Sequence, residues 1–461
     1  MSTSPQVLAL CSQFNAVLLG EEDTRIKIAA APNPPAQLFE ALRFVCDKHI
    51  ELEIWPAERL EKARHLPDVP QHEELPESSL SIVTLLNETL QKAMDLRASD
   101  IHFEPAEQHY RIRLRIDGVL QLQPTLPAHL SAAITARLKV LGNLDIAERR
   151  LPQDGQMDME LGGGKASFRI STLPVRHGEK VVLRLLQQTE QPLKPGGLGM
   201  SMRDAKLFQS ALALPQGMIL VTGPTGSGKT VTLYSALNAL SKTDTNVCSV
   251  EDPVEIPLPG LNQTQVNIKA GLNFQNVLRA LLRQDPDVIM IGEIRDAETA
   301  EIAIKAAQTG HLVLSTLHTN STIETVIRLE QMGIARWLLG SALQLVIAQR
   351  LIRKLCPHCK RRGTHEHILP QSTWPEPLPD WQAVGCERCY GGYYGRTALF
   401  EILPVNNALR VALTRGAQMR ELEEIARQHG MVSLFENGCM AVSQELTTLE
   451  EVYRVLGVPH G

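Results

Sequence analysis

The chain has 461 residues, 43% hydrophobic and 21% charged, which is too long for one ordinary core and too apolar for a disordered chain, so two to four domains are expected. With 46 Lys and Arg against 51 Asp and Glu the net charge is -5, which excludes wholesale adsorption to a polyanion and makes any lipid or nucleic-acid contact local. An aromatic content of only 4% leaves few stacking platforms and argues against a nucleic-acid motor or a zinc-ribbon nucleic-acid binder.

In chain order, Met1 to Gln6 lacks the basic and apolar pattern of a secretory leader, so a cytoplasmic location is expected. Residues 1–66 form a small α/β module, with strands at Arg25–Ala30 and Glu51–Trp55 and a helix over Pro35–His49 whose stripe is Leu38, Leu42 and Val45. The Pro-rich, aperiodic residues 67–79 make a linker. Residues 80–190 form an α+β lobe: a helix from Leu80 to Leu96, then strands, with further strands at Ala166–Thr172 and Lys180–Leu186. Strict alternation in Tyr110–Ile116 puts Arg111, Arg113 and Arg115 on one strand face, ordinarily the wet side of a sheet. A second linker, rich in Pro and Gly, spans 191–200.

From 201 to 461 short apolar strands alternate with helices, the pattern of a mainly parallel α/β sheet. The strands are Met218–Thr222, Asn246–Val250, Val288–Ile291 and Leu312–Thr316, and residues 403–461 read as helical. The apolar stretch Trp337–Ile352, interrupted by polar residues, reads as a buried amphipathic helix too short to span a bilayer.

Gly223, Pro224, Thr225, Gly226, Ser227, Gly228, Lys229 and Thr230 form a phosphate-binding loop between the strand ending at Thr222 and a helix beginning at Val231. Such a loop wraps phosphates in backbone N–H groups at a helix start, which only Gly permits. Lys229 is assigned to the β and γ phosphates of ATP and Thr230 to Mg²⁺. Hydrolysis also needs an acid at a buried strand end. Glu293 is the candidate base, although Gly292 stands where many NTPases carry a metal-binding Asp; Glu251 ends a second strand, and His318 follows a third.

The P-loop, the box Glu251-Asp-Pro-Val-Glu255, the strand end Gly292-Glu-Ile-Arg-Asp296 and the box Thr309-Gly-His311…His318-Thr-Asn320, in this order, resemble the type II secretion and type IV pilus assembly ATPases. Ala98-Ser-Asp-Ile-His-Phe-Glu-Pro105, Pro152-Gln-Asp-Gly155 and Arg169-Ile-Ser-Thr-Leu-Pro extend the resemblance upstream. It implies a RecA-like domain hinged to the smaller α+β domain within a homohexameric ring, working peripherally at the inner membrane with platform and docking proteins and without nucleic acid. In that family arginines of the preceding domain reach the γ-phosphate, and Arg169 and Arg184 match their places. Where the family usually carries Arg after Pro152-Gln-Asp-Gly155, this chain has Gln156.

Cys356, Cys359, Cys386 and Cys389 form two C-x-x-C knuckles, within 356–389, at the spacing of a closed structural Zn²⁺ site. His358, His365 and His367 could replace one ligand but are read as surface residues. Arg350, Arg353, Lys354, Lys360, Arg361 and Arg362 crowd the first knuckle; they could face anionic lipid or an acidic partner but read as a solvated cluster. The resembling extension and secretion motors carry the same tetracysteine element followed by Gly-Tyr-x-Gly-Arg, here Gly392-Tyr-Tyr-Gly-Arg396. Retraction motors generally lack it, so assembly or secretion is expected over retraction.

Overall fold

Period-two alternation and double-sided burial together decide where the strands lie. In a computed structural model of the chain, residues 82–162, 164–186 and 197–458 are described, with parts of 11–60. The first linker (67–79), residues 191–196 of the second, Val45 and most of the helix expected over 35–49 lie outside the described residues. Within that helix Leu38 and Leu42 are helical and fully buried. Two compact units are present, residues 54–188 and residues 1–53 with 189–461.

The N-terminal strands β1 (Val17–Glu21), β2 (Arg25–Ala30) and β3 (His49–Ile54) form a three-stranded sheet with β2 in the middle.

In the second unit, helix α1 (Ile82–Asp95) precedes strands β4 (Ala98–Pro105), β5 (His109–Ile116), β6 (Val119–Leu122) and β7 (Leu126–Pro127). Helix α2 (Ser131–Leu141) and strands β8 (Gln153–Leu161), β9 (Gly164–Val175) and β10 (Gly178–Leu186) complete it. The antiparallel order is β6-β5-β4-β10-β9-β8, with β7 on β5. One sheet face packs Ile101, Phe103, Ile112, Leu114, Phe168, Ile170, Val181 and Leu183 against Leu86 and Leu90 of α1 and Ile134 and Leu138 of α2. The alternating residues are thereby forced onto the uncovered face.

The P-loop unit continues with α3 (Met202–Leu212), β11 (Gly217–Thr222), α4 (Lys229–Leu240), β12 (Val247–Glu251), β13 (Asn262–Gln265), α5 (Phe274–Leu281), β14 (Val288–Ile291), α6 (Ala297–Gln308) and β15 (Leu312–Leu317). Then follow α7 (Thr322–Gln331), α8 (Arg336–Ala342), β16 (Leu343–Leu355), β17 (Lys360–His367), β18 (Leu378–Ala383) and β19 (Tyr393–Pro404). Helices α9 (Asn407–Thr414), α10 (Met419–Gln428), α11 (Leu434–Ser443) and α12 (Leu449–Leu456) close it, as the sequence led us to expect.

Its seven-stranded sheet runs β13-β12-β14-β15-β11-β16-β19, parallel throughout except for the antiparallel edge strand β19. Strands β11, β12, β14 and β15 are buried at every residue because helices cover both faces. Tyr234, Leu237 and Phe208 pack on one side, and Leu278, Ile304, Val326 and Leu409 on the other.

One element departs from expectation. Residues 343–355 are a strand, and only Arg336–Ala342 is helical. Val346, Ile347 and Ala348 are wholly buried between β11 and β19; a short apolar run of this kind suits a two-sided strand as well as a buried helix, and the open edge of β11 selects the strand.

Candidate functional site

Parallel pairing aligns strand ends. Thr222 stands opposite Leu317 on one side and Ala348 on the other, and Val250 opposite Ile291. Glu251, Glu293, His318, Gln349 and Arg350 therefore gather at the edge of the sheet where the P-loop leaves β11, the edge at which open parallel sheets bind ligands. His311 immediately precedes β15 at the opposite edge, its Nδ1 3.0 Å from the Ala306 carbonyl.

The loop turns through left-handed conformations at Gly223 (φ 146°), Gly226 (φ 79°) and Gly228 (φ 88°). At Gly223 a side chain is also sterically barred: its Cβ would lie 2.5 Å from the Gln349 carbonyl oxygen and 2.6 Å from Ser227 Oγ. Helix α4 starts directly after Gly228. The Lys229 ammonium is buried and donates to the carbonyls of Gly223 (2.7 Å) and Pro224 (3.1 Å). Burial lowers its pKa to about 8, with Arg350 adding to the shift and Glu293 opposing it. Thr230, one residue into α4, is exposed, as a metal-binding hydroxyl requires.

Glu293 Oε2 lies 3.5 Å from His318 Nε2, and its other oxygen accepts from Arg295. Burial and the nearby Lys229 charge hold His318 below the usual imidazole range, against the pull of Glu293, and so favour its neutral form. The His318 loop is pinned from both sides: the Thr222 hydroxyl accepts from Thr319 N–H (2.9 Å), and Arg350 donates to the Asn320 carbonyl and side-chain oxygens, each at 3.1 Å.

Glu251 is buried with both oxygens engaged, one accepting from Ser249 (2.7 Å) and Gln263 (3.1 Å) and the other from the Tyr234 hydroxyl. Burial, and then the adjoining carboxylate, push the Tyr234 pKa up. At Gly292 a Cβ would come within 3.3 Å of the Val250 oxygen and 3.4 Å of Glu251 Cα, so β12 and β14 run close at the site and a bulkier residue there would crowd them.

Arg350 is a correction to the sequence reading. It is 7% exposed at the P-loop edge, not part of a solvated cluster, and burial lowers its pKa. Arg353 also leaves that cluster: it pairs with the buried Glu451 at 2.7 Å and lies over the Tyr393 ring at 4.0 Å. Lys354, Arg361 and Arg362 are exposed, as read. Besides Arg350, Tyr234 and Gln263 went unnoticed, since nothing local in the sequence marks them.

In the other unit, Arg169 on β9 and Arg184 on β10 face one another in register on the uncovered sheet face. Gln156 stands opposite Arg169, and Asp100 opposite Arg184. Arg184 is tied to Asp100 at 2.8 Å; Arg169 has no hydrogen bond or ion pair among the described residues. Arg113 bonds Glu104 at 2.7 Å, with Arg111 and Arg115 near Glu104 and Asp100, so this wet face is interlaced with acid.

The four cysteine sulfurs converge: Cys356 to Cys386 is 3.9 Å, Cys359 to Cys389 3.6 Å, and Cys386 to Cys389 3.7 Å. A tetrahedron with Zn–S bonds of about 2.3 Å has edges of about 3.8 Å, so the donor set fits Zn²⁺. His358 and His365 are exposed as expected, but His367 is half-buried beside Asp380.

The family model described as "Type II/IV secretion system protein" matches residues 76–454. The chain is 59% identical over 99% of its length, and 99% of the relative's, to a "Protein transport protein HofB homolog" of Escherichia coli K12. It is 48% identical to a "Type IV pilus assembly ATPase PilB" of Pseudomonas aeruginosa, covering 81% of this chain and 67% of that one. To a "Type II secretion system ATPase E" of Vibrio cholerae it is 45% identical over 84% of this chain and 78% of that one. Among solved structures, the pilus retraction motor PilT with bound ADP aligns with a TM-score of 0.54 at 27% identity, covering 81% of this chain and 97% of that chain. The Legionella pneumophila ATPase DotB shares the fold, with a TM-score of 0.61 at 22% identity, covering 83% of this chain and 98% of that chain. The RecA-like architecture, the intact phosphate loop and these matches lead to one conclusion: the chain is a P-loop ATPase belonging to the type II/IV secretion system protein family.

Proposed function

We propose that this ATPase works as a homohexamer at the cytoplasmic face of the inner membrane, driving assembly of a type IV pilus or type II secretion pseudopilus. The observation that carries the site assignment is Lys229: a buried ammonium whose hydrogen bonds, among the described residues, go only to two backbone carbonyls, with its pKa lowered, is a cation arranged for an incoming anion. Residues 223–230 cradle the ATP phosphates, with Lys229 on the β and γ groups. The Thr230 hydroxyl would hold Mg²⁺, which when bound would supply charge neutralisation at the phosphates.

Glu293 orients the attacking water and takes its proton as the new bond to the γ-phosphorus forms and the bond to the β–γ bridging oxygen breaks, releasing ADP. His318, 3.5 Å from Glu293, acts as a positioning residue that holds its orientation. Glu251, with both oxygens occupied, acts as a positioning residue that braces Tyr234 against β12. Arg169 and Arg184 neutralise charge on the γ-phosphoryl, a contribution of ~10³ to 10⁵ in rate for such arginines. Cys356, Cys359, Cys386 and Cys389 would hold Zn²⁺ in a structural role.

Relatives at 45–48% identity are named as assembly and secretion ATPases, and the tetracysteine element favours that reading over retraction. Residues 1–66 are assigned to docking on a membrane-anchored assembly protein. Among the described residues no helix is long and apolar enough to cross a membrane, in keeping with peripheral attachment.

Replacing Glu293 by Gln tests the base. Steady-state hydrolysis should fall by about 10²- to 10⁴-fold while filter-bound ATP stays undiminished. Unchanged turnover would remove Glu293 from the role.

A further inference from the structure

We propose a second divalent-metal site, built from His367, Asp380 and Glu450 and separate from the four cysteines. The three side chains come from three elements: His367 ends β17, Asp380 lies in β18, and Glu450 is the second residue of α12. One ligand atom from each lies within 4.8 Å of the others. His367 Nε2 is 3.3 Å from Asp380 Oδ1, and both side chains are 15% exposed. Ligands at about 2.0 to 2.2 Å from a tetrahedral Zn²⁺ are about 3.3 to 3.6 Å apart, so the imidazole and the carboxylate already stand at a metal's spacing, and Glu450 needs only a small side-chain movement.

Three observations favour a cation over a simple His–Asp contact. The first is charge: two carboxylates share the site, and among the described residues neither is paired with Lys or Arg. A single imidazole, even protonated, leaves that half-buried cluster negative, and a divalent ion would neutralise it. The second is orientation. Gln382 Nε2 donates to Asp380 Oδ2 at 3.0 Å, and the carboxylate packs against Gly363, where a Cβ would collide with it. This support leaves Oδ1 turned to His367, as outer partners hold ligating carboxylates in metal sites. The third is rigidity. Leu369, Leu378 and Trp381 of the β17–β18 hairpin share one buried cluster with Leu449, Val452 and Tyr453 of the α12 region, so the ligands sit on fixed supports.

One nitrogen and two carboxylate oxygens suit Zn²⁺, with water completing the shell. The cysteine knuckles flank the open end of the hairpin, before β17 and after β18, whereas this site ties its middle and far part to α12. Zinc would thus clamp the insert twice, once within itself and once onto the C-terminal helix.

The test is a Co²⁺ titration of the metal-stripped full chain, followed by Zn²⁺ displacement and elemental analysis. Thiolate-bound cobalt gives intense charge-transfer absorption and oxygen/nitrogen-bound cobalt gives only weak visible bands, so the two sites read out separately. The wild type should take up two equivalents, one of each type. His367→Ala and Asp380→Asn should each lose the weak-band equivalent and keep the thiolate absorption, which also reports that the insert has folded; His365→Ala, at an exposed neighbour, should bind two. A single equivalent in the wild type, or two retained in both His367→Ala and Asp380→Asn, would overturn the proposal.

Discussion

The two charged surfaces of the molecule are finished to different degrees. At the P-loop edge four charged groups are already engaged: Lys229 rests on two carbonyls, Glu251 on Tyr234, Ser249 and Gln263, Glu293 on Arg295 and His318, and Arg350 on Asn320. On the uncovered face of the residue 82–186 sheet, Arg184 is held by Asp100, but Arg169, one strand over, is free of any partner among the described residues. A pre-assembled phosphate site can bind without rearrangement, whereas an arginine left with water keeps its full attraction for an incoming phosphate. Under the proposed function, binding falls to the first surface and rate acceleration to the second.

Breaking the first surface should have the largest effect. Lys229→Ala removes the buried cation and should lower turnover by about 10²- to 10³-fold, with ATP affinity falling too; a loss confined to turnover would mean that the cradle binds without it.

Much of this surface was legible beforehand. The glycines of the loop, the apolar strands and the acids at their ends are local signals, and a parallel sheet carries such ends to one edge without further information. Arg350 was not legible: its place depends on residues 343–355 being a strand beside β11, and the run Leu345–Ile347 suits a strand or a helix equally well. Tyr234 and Gln263 meet Glu251 only through tertiary packing, from α4 and β13. On the second surface, alternation showed that Arg111, Arg113 and Arg115 share a face, but Asp100 and Glu104 enter it from a neighbouring strand, so their pairing needed the register. The tetracysteine cluster was legible because ligand spacing along the chain nearly determines it, while His367 was not, since its partners lie 13 and 83 positions away.

A smaller effect should follow removal of the ion assigned to the four cysteines. Chelation, or Cys386→Ser, should lower thermal stability of the insert and C-terminal helices, read by hydrogen exchange over residues 355–393 and 434–456. Exchange over α4 and β11 should barely change. Equal loosening of both regions would show that the zinc element and the phosphate site are not independent.

The smallest effect is protonic. A lysine pKa lowered from 10.5 to about 8 means that, between those values, the folded chain binds fewer protons than the unfolded one. Stability without nucleotide therefore rises with pH across that window. Phosphate favours the ammonium, so ATP binding should take up a fraction of a proton at pH 8.5 and almost none from this group at pH 7. Calorimetry in buffers of different ionisation enthalpy measures it; no uptake at pH 8.5 would mean that Lys229 is already charged.

The division of labour between the two surfaces is tested most directly by the Arg169→Ala, Arg184→Ala double variant, with ATP affinity and single-turnover hydrolysis measured on the same preparation. We predict affinity within a few-fold of the wild type and hydrolysis slower by at least about 10³-fold. Wild-type hydrolysis in that variant would contradict the account.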